Sequence, residues 1–153
     1  MQSSHHSVSI PEHEISTSRS YGSASAARNG AALFPVGLRI LIVEDEMIPA
    51  LDLSEIVEAY GCLAIIATRV VPAVLLVANQ VFDAAILDIN VSGEAVYPVA
   101  DELAKHRTPF VFATGYGVES LSETFRKHPI MGKPYSALHV EAALSEIRRA
   151  SGH

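Results

Sequence analysis

The chain has 153 residues, enough for one domain with a real core and too few for two ordinary ones. A net charge of -6 offers no basic surface for nucleic acid, and the single cysteine, Cys62, excludes an internal disulfide and fits a reducing cytoplasm. The apolar run "VVPAVLLVANQV" at 70–81 is shorter than a bilayer span and holds Pro72, and "MQSSHHSVSIPEHEIS" lacks the pattern of a secretory signal, so neither a membrane span nor export is expected.

Residues 1–36 are rich in Ser, with Gly, Pro and Ala and few bulky apolar side chains, and Arg19 and Arg28 balance Glu12 and Glu14. This composition predicts a disordered or flexible N-terminal extension. His5, His6 and His13 have no carboxylate or thiol framework around them and read as part of that tail rather than as a metal site.

From Gly37 to residue 150, β-rich runs alternate with amphipathic segments, which predicts an α/β domain with a parallel sheet covered on both faces. The first run, "LRILIV" (38–43), leads into "MIPALDLSEIVEAYG", where Ile48, Leu51, Leu53, Ile56 and Val57 fall near one face and Gly61 is a plausible C-cap. "LAII" (63–66) precedes a helix near 69–80, and "FDAAILD" (82–88) precedes one near 95–105. "PFVFA" (109–113) precedes a helix over 117–127, which reads as weak, and "PIM" (129–131) precedes a last helix over 135–149.

In such sheets the crossover rule brings the C-terminal ends of the strands to one edge, where ligands bind. The residues delivered there are Glu44 and Asp45 after the first strand, Asp88 after the third, Thr114 after the fourth and Lys133 after the fifth. Gly115 and Gly117 allow the backbone to turn tightly beside whatever binds. Three carboxylates with one lysine and one hydroxyl suit a hard divalent cation and a phosphoryl group. Mg²⁺ takes oxygen ligands, typically one or two protein carboxylates plus phosphate oxygens. Asp45 and Asp88 fit as direct ligands, Glu44 as the holder of a bound water, Lys133 as the neutraliser of a phosphate oxygen and Thr114 as a hydrogen-bond donor to another. Phosphoryl transfer to a carboxylate needs in-line positioning and charge neutralisation more than acid–base chemistry. Taken singly, each residue has a plainer reading: Glu44 and Asp45 as N-capping acids, Asp88 as a turn residue, Thr114 as a helix cap, Lys133 as ordinary surface. One shared site accounts for all five together.

"LIVEDE" (41–46), "AILDIN" (85–90), "FATGYG" (112–117) and "GKP" (132–134) resemble, in order and spacing, the receiver domain of bacterial two-component response regulators, over residues 38–149. The resemblance implies a flavodoxin-like doubly wound (βα)5 fold with strand order 2-1-3-4-5. It implies Asp88 as the phosphoacceptor for a phosphohistidine on a sensor histidine kinase or phosphotransfer protein. It further implies Mg²⁺ held by Glu44, Asp45, Asp88 and the backbone carbonyl of Asn90, and contacts from Thr114 and Lys133 to the aspartyl phosphate. The Lys133–Pro134 peptide bond is expected to be cis.

"PFVFATGYG" more specifically resembles the single-domain FAT GUY receivers of alphaproteobacteria. One position departs from ordinary receivers: three residues before Lys133, where most carry an inward-turning Tyr or Phe, stands Ile130, which cannot swing a ring. Signalling is therefore expected to pass through residues 116–127, with Tyr116 as a candidate replacement aromatic. Twenty residues follow Lys133 and form the final helix, so output is expected through a protein contact of the receiver itself or through a phosphorelay. A haloacid-dehalogenase-like phosphatase would need a second acid where Asn90 stands. A nucleotide-binding fold would need a glycine-rich phosphate loop that the sequence lacks. A phosphorylation-independent interaction module with the receiver fold remains the alternative.

Overall fold

A computed structural model describes residues 36–133 and 135–151. The N-terminal extension up to residue 35 and the Lys133–Pro134 peptide bond lie outside the described residues.

The five expected strands form one parallel sheet: β1 (Arg39–Val43), β2 (Leu63–Ala67), β3 (Ala84–Asp88), β6 (Phe110–Thr114) and β7 (Ile130–Gly132), in the order β2-β1-β3-β6-β7. Renumbered by crossover, this is the expected 2-1-3-4-5. The interior strands are almost wholly apolar because helices cover both their faces, and all five residues of β6 are buried. Side-chain alternation divides the core in two. Leu41, Val43, Leu87, Phe110 and Phe112 face α2 (Val70–Asn79) and α3 (Tyr97–Lys105), whereas Ile40, Ile42, Ile86 and Val111 face α1 (Met47–Ala59) and α4 (Ala137–Ser151). In α1, Ala50, Leu53, Ser54 and Val57 make the buried stripe. The helix stops at Gly61, whose φ of +83° lets its N–H donate back to the Glu58 carbonyl at 2.9 Å.

Two segments depart from the sequence reading. A small antiparallel hairpin, β4 (Asn90–Val91) with β5 (Glu94–Ala95), follows β3. Its two-residue turn, Ser92 and Gly93, has φ of +52° and +81°, the positive values a type I′ turn requires. The expected helix over 117–127 is instead two single 3-10 turns, Val118–Ser120 and Glu123–Phe125. The cause is visible in the chain: Gly117, Ser120, Ser122 and Thr124 favour local bonds over helix, and Leu121 and Phe125 are the buried anchors. Phe125 stacks on Tyr97 of α3 at 4.9 Å, and the Tyr97 hydroxyl accepts the Ser122 N–H at 2.8 Å.

Candidate functional site

The C-terminal ends of β1, β3, β6 and β7 meet at one edge, so each chemistry-bearing residue is delivered by a strand whose register fixes its height. Val43 pairs with Leu87, Asp88 with Ala113, and Thr114 with Gly132. Glu44 and Asp45 therefore stand beside Asp88, with Thr114 and Lys133 one residue beyond on the other side. Neither Glu44 nor Asp45 caps α1; Glu46 occupies that position without a side-chain cap bond. Their plainer reading as capping acids is thereby set aside.

Lys133 is the hub. Its Nζ donates to Glu44 Oε2 at 2.8 Å and to Asp88 Oδ2 at 3.0 Å. Glu44 is 1% exposed, and its other oxygen accepts the Glu46 N–H at 3.1 Å. Asp45 Oδ2 accepts the Ser92 N–H at 2.9 Å, which ties the β4–β5 hairpin to the end of β1. Burial, with Glu44 nearby, raises the Asp88 carboxyl from 3.8 to about 6 against the pull of Lys133. Burial alone would lower Lys133, yet its hydrogen bonds to Glu44 and Asp88 hold it above its ordinary value. Lys133 is thus firmly cationic, placed to neutralise negative charge arriving at Asp88.

Glu44, Asp45 and Asp88 each present a carboxylate oxygen within 4.8 Å of the others. Opposite ligands of an octahedral Mg²⁺ are about 4.2 Å apart, twice a bond of about 2.1 Å, so this all-oxygen set fits such a cation with small adjustment. Asn90 lies at the start of β4, two residues past Asp88, and its side-chain Oδ1 accepts the Gly93 N–H at 2.9 Å.

Thr114 is buried at the same edge. Its hydroxyl oxygen accepts the Tyr116 N–H at 2.9 Å and lies 3.5 Å from the Ser120 hydroxyl, so it is engaged with its own loop. The Tyr116 ring is 83% exposed, while Ile130 is half-buried against the α2–α3 side of the core. Sequence reasoning missed Tyr135, whose hydroxyl lies 3.4 Å from Glu44 Oε2 and whose ring centre is 5.8 Å from Lys133 Nζ. Burial raises the Tyr135 phenol, with Glu44 and Asp88 adding to the shift, so it stays protonated beside the carboxylates. An aromatic directly after "GKP" was the available signal. Ser92 and Ser120 were also missed, because their contributions run through turn geometry.

No family model and no curated protein matches the chain. Among solved structures, SdrG from Sphingomonas melonis Fr1 is 37% identical with a TM-score of 0.67, the match covering 74% of this chain and 98% of that one. SdrG in a BeF3-activated conformation matches at 36% identity and a TM-score of 0.64, over 74% of this chain and 99% of that one. The response regulator PhyR from Brucella abortus is 25% identical with a TM-score of 0.65, covering 80% of this chain; the match spans 54% of PhyR, about half its length. A CheY-like response regulator receiver domain from Methylobacillus flagellatus, 21% identical over 72% of this chain and 98% of its own, shares the fold at a TM-score of 0.65. Five parallel strands in this order, an acidic cluster and a lysine at their shared edge, and these likenesses together place the chain in the receiver-domain family of response regulators.

Proposed function

We propose that the chain is a stand-alone receiver, of the FAT GUY type, that accepts a phosphoryl group on Asp88 from a histidine kinase or phosphotransfer protein. The single observation that carries this reading is Lys133 Nζ bonded at once to Asp88 and the buried Glu44, with Asp45 completing the carboxylate cluster. The BeF3-activated form of SdrG supports it, since beryllofluoride imitates a phosphoryl group on a carboxylate. The chain's output is a protein contact or a further phosphoryl transfer, and its setting is the cytoplasm. Among the described residues no helix is long and apolar enough to cross a membrane.

In the transfer, a carboxylate oxygen of Asp88 attacks phosphorus, the P–N bond to the donor imidazole breaks, and an acyl phosphate forms. The leaving imidazole keeps the electron pair of the broken bond and takes its proton from solvent. Lys133 moves from Asp88 to a phosphoryl oxygen, and the Thr114 hydroxyl turns to donate to another. Glu44, Asp45, Asp88 and the Asn90 carbonyl would hold Mg²⁺, which supplies charge neutralisation at the phosphoryl oxygens. When Thr114 turns, the Tyr116 N–H loses its acceptor, and the 3-10 segment is the part held loosely enough to respond.

The test is phosphate-affinity gel mobility of the full chain with a small-molecule phosphodonor and Mg²⁺, beside Asp88→Asn. A Mg²⁺-dependent shifted band absent from the variant is expected. No shift with the small donor and none with cognate kinases would favour a phosphorylation-independent interaction module.

A further inference from the structure

The proposed transfer gives Tyr135 no role, yet the fold holds this side chain firmly against the site. It lies two residues past Lys133, where the chain turns from β7 into α4, and its ring packs against the core cluster beneath α1 and α4. A packed ring fixes where its hydroxyl stands. That hydroxyl is 3.4 Å from Glu44 Oε2, at the long limit of a hydrogen bond, and among the described residues it has no other acceptor. A phenol keeps its proton at neutral pH, so the group is a donor here.

Glu44 depends on its donors. The side chain is 1% exposed, so bulk water does not reach it. Its Oε1 accepts the Glu46 N–H at 3.1 Å, and its Oε2 accepts from Lys133 Nζ at 2.8 Å. Lys133 is committed elsewhere too, because the same Nζ donates to Asp88 Oδ2 at 3.0 Å. One cation thus serves two carboxylates. A phosphoryl group on Asp88 would add negative charge and new acceptor oxygens within its reach. As Nζ turns toward them, its bond to Glu44 Oε2 weakens. A buried carboxylate oxygen that loses its donor carries a desolvation penalty larger than that of a neutral group. The unmodified site therefore has enough donors for Glu44 without Tyr135, and the modified one does not.

We infer that Tyr135 is a positioning residue for the phosphorylated state: as Lys133 turns to the phosphoryl group, the Tyr135 hydroxyl closes on Glu44 Oε2 and donates to it in place of the ammonium. The inference rests on Asp88 being the phosphoacceptor. Tyr135 touches neither Asp88 nor the phosphoryl group; it acts by keeping Glu44 paired, which frees Lys133 to move. A phenylalanine at this position would keep the ring, 5.8 Å from Lys133 Nζ, and lose only the donor.

The test compares the full chain with Tyr135→Phe, by urea unfolding without and with beryllofluoride and Mg²⁺, and by the rate of phosphorylation from a small-molecule phosphodonor. Without beryllofluoride the two proteins should unfold at nearly the same urea concentration. With it, the variant should be stabilised less, by an amount corresponding to roughly tenfold weaker binding, and its phosphorylation should be roughly tenfold slower. Equal stabilisation and equal rates overturn the inference. So does a loss of stability of the same size with and without beryllofluoride, or a loss of fold seen by circular dichroism, since the hydroxyl would then be supporting the resting structure. A wild-type chain that neither takes up a phosphoryl group nor gains stability from beryllofluoride would sink the receiver chemistry itself, and this inference with it.

Discussion

Replacing Asp88 by Asn should make the metal-free protein more stable while abolishing phosphorylation. In the fold, burial and the nearby Glu44 raise the Asp88 carboxyl from 3.8 to about 6. A raised carboxyl binds its proton more readily in the folded chain than in the unfolded one, so its stabilising contribution is full below pH 3.8 and is lost as pH climbs through about 6. The interval of about two pH units corresponds to roughly 3 kcal/mol at neutral pH. Because the side chain retains 14% exposure, water screens part of that cost, and about 2 kcal/mol is the expected gain for Asp88→Asn. Urea unfolding of both proteins in a chelator, across pH 3.5 to 8, reads the difference directly. The two should be near equal at the acid end and diverge as pH rises through 4 to 6, the variant being the more stable. An Asp88→Asn protein that is less stable than wild type at pH 7, or a difference that does not change with pH, would refute the reasoning.

Asp45→Asn should weaken Mg²⁺ binding at least about tenfold in calorimetric titration, because it removes one of three clustered carboxylates and weakens the anchor for the Ser92 N–H. His128, stacked on Phe110 at 4.5 Å, is lowered from 6.5 by burial, so stability is lost as pH falls from above 6.5 through its folded value. His128→Phe should flatten that slope in pH-dependent thermal unfolding. Phe125→Ala should cost about 3 kcal/mol in urea unfolding, since the ring is buried and stacked on Tyr97. Tyr97→Phe should cost about 1 kcal/mol and speed amide exchange at Ser122, whose N–H loses its acceptor.

The sheet was readable in the chain because parallel interior strands are continuous apolar runs. β1, β3 and β6 fall within about two residues of their expected limits. The convergence of Glu44, Asp45, Asp88 and Lys133 was readable for a related reason: each follows the C-terminal end of a parallel strand, and topology does the gathering. What escaped was decided at shorter range. The hairpin over 90–95, "NVSGEA", lies outside the expected elements, because Ser-Gly between two runs of two residues makes a turn only once both residues adopt positive φ. Residues 117–127 read as a weak helix; their hydroxyl side chains and Gly117 resolve that weakness into two separate turns. Tyr135 escaped because its place beside Glu44 depends on how the chain turns after β7, which periodicity does not encode. The orientation of the Thr114 hydroxyl, toward Tyr116 and Ser120, depends likewise on a local loop.

The two banks of this site differ in mechanical compliance. On one bank the β4–β5 hairpin is braced three ways: by the Ser92 N–H on Asp45, the Gly93 N–H on Asn90, and the Val96 N–H on the Ile89 carbonyl at 2.9 Å. On the other, the stretch from Gly115 to Phe125 has no regular ladder, hangs on Leu121 and Phe125, and meets the site through one threonine hydroxyl. A load applied at Asp88 is shared by both banks, but the stiff one returns it while the soft one yields. On the function proposed above, displacement should thereby be rectified: the surface expected to move when Asp88 is modified is the one bearing Tyr116.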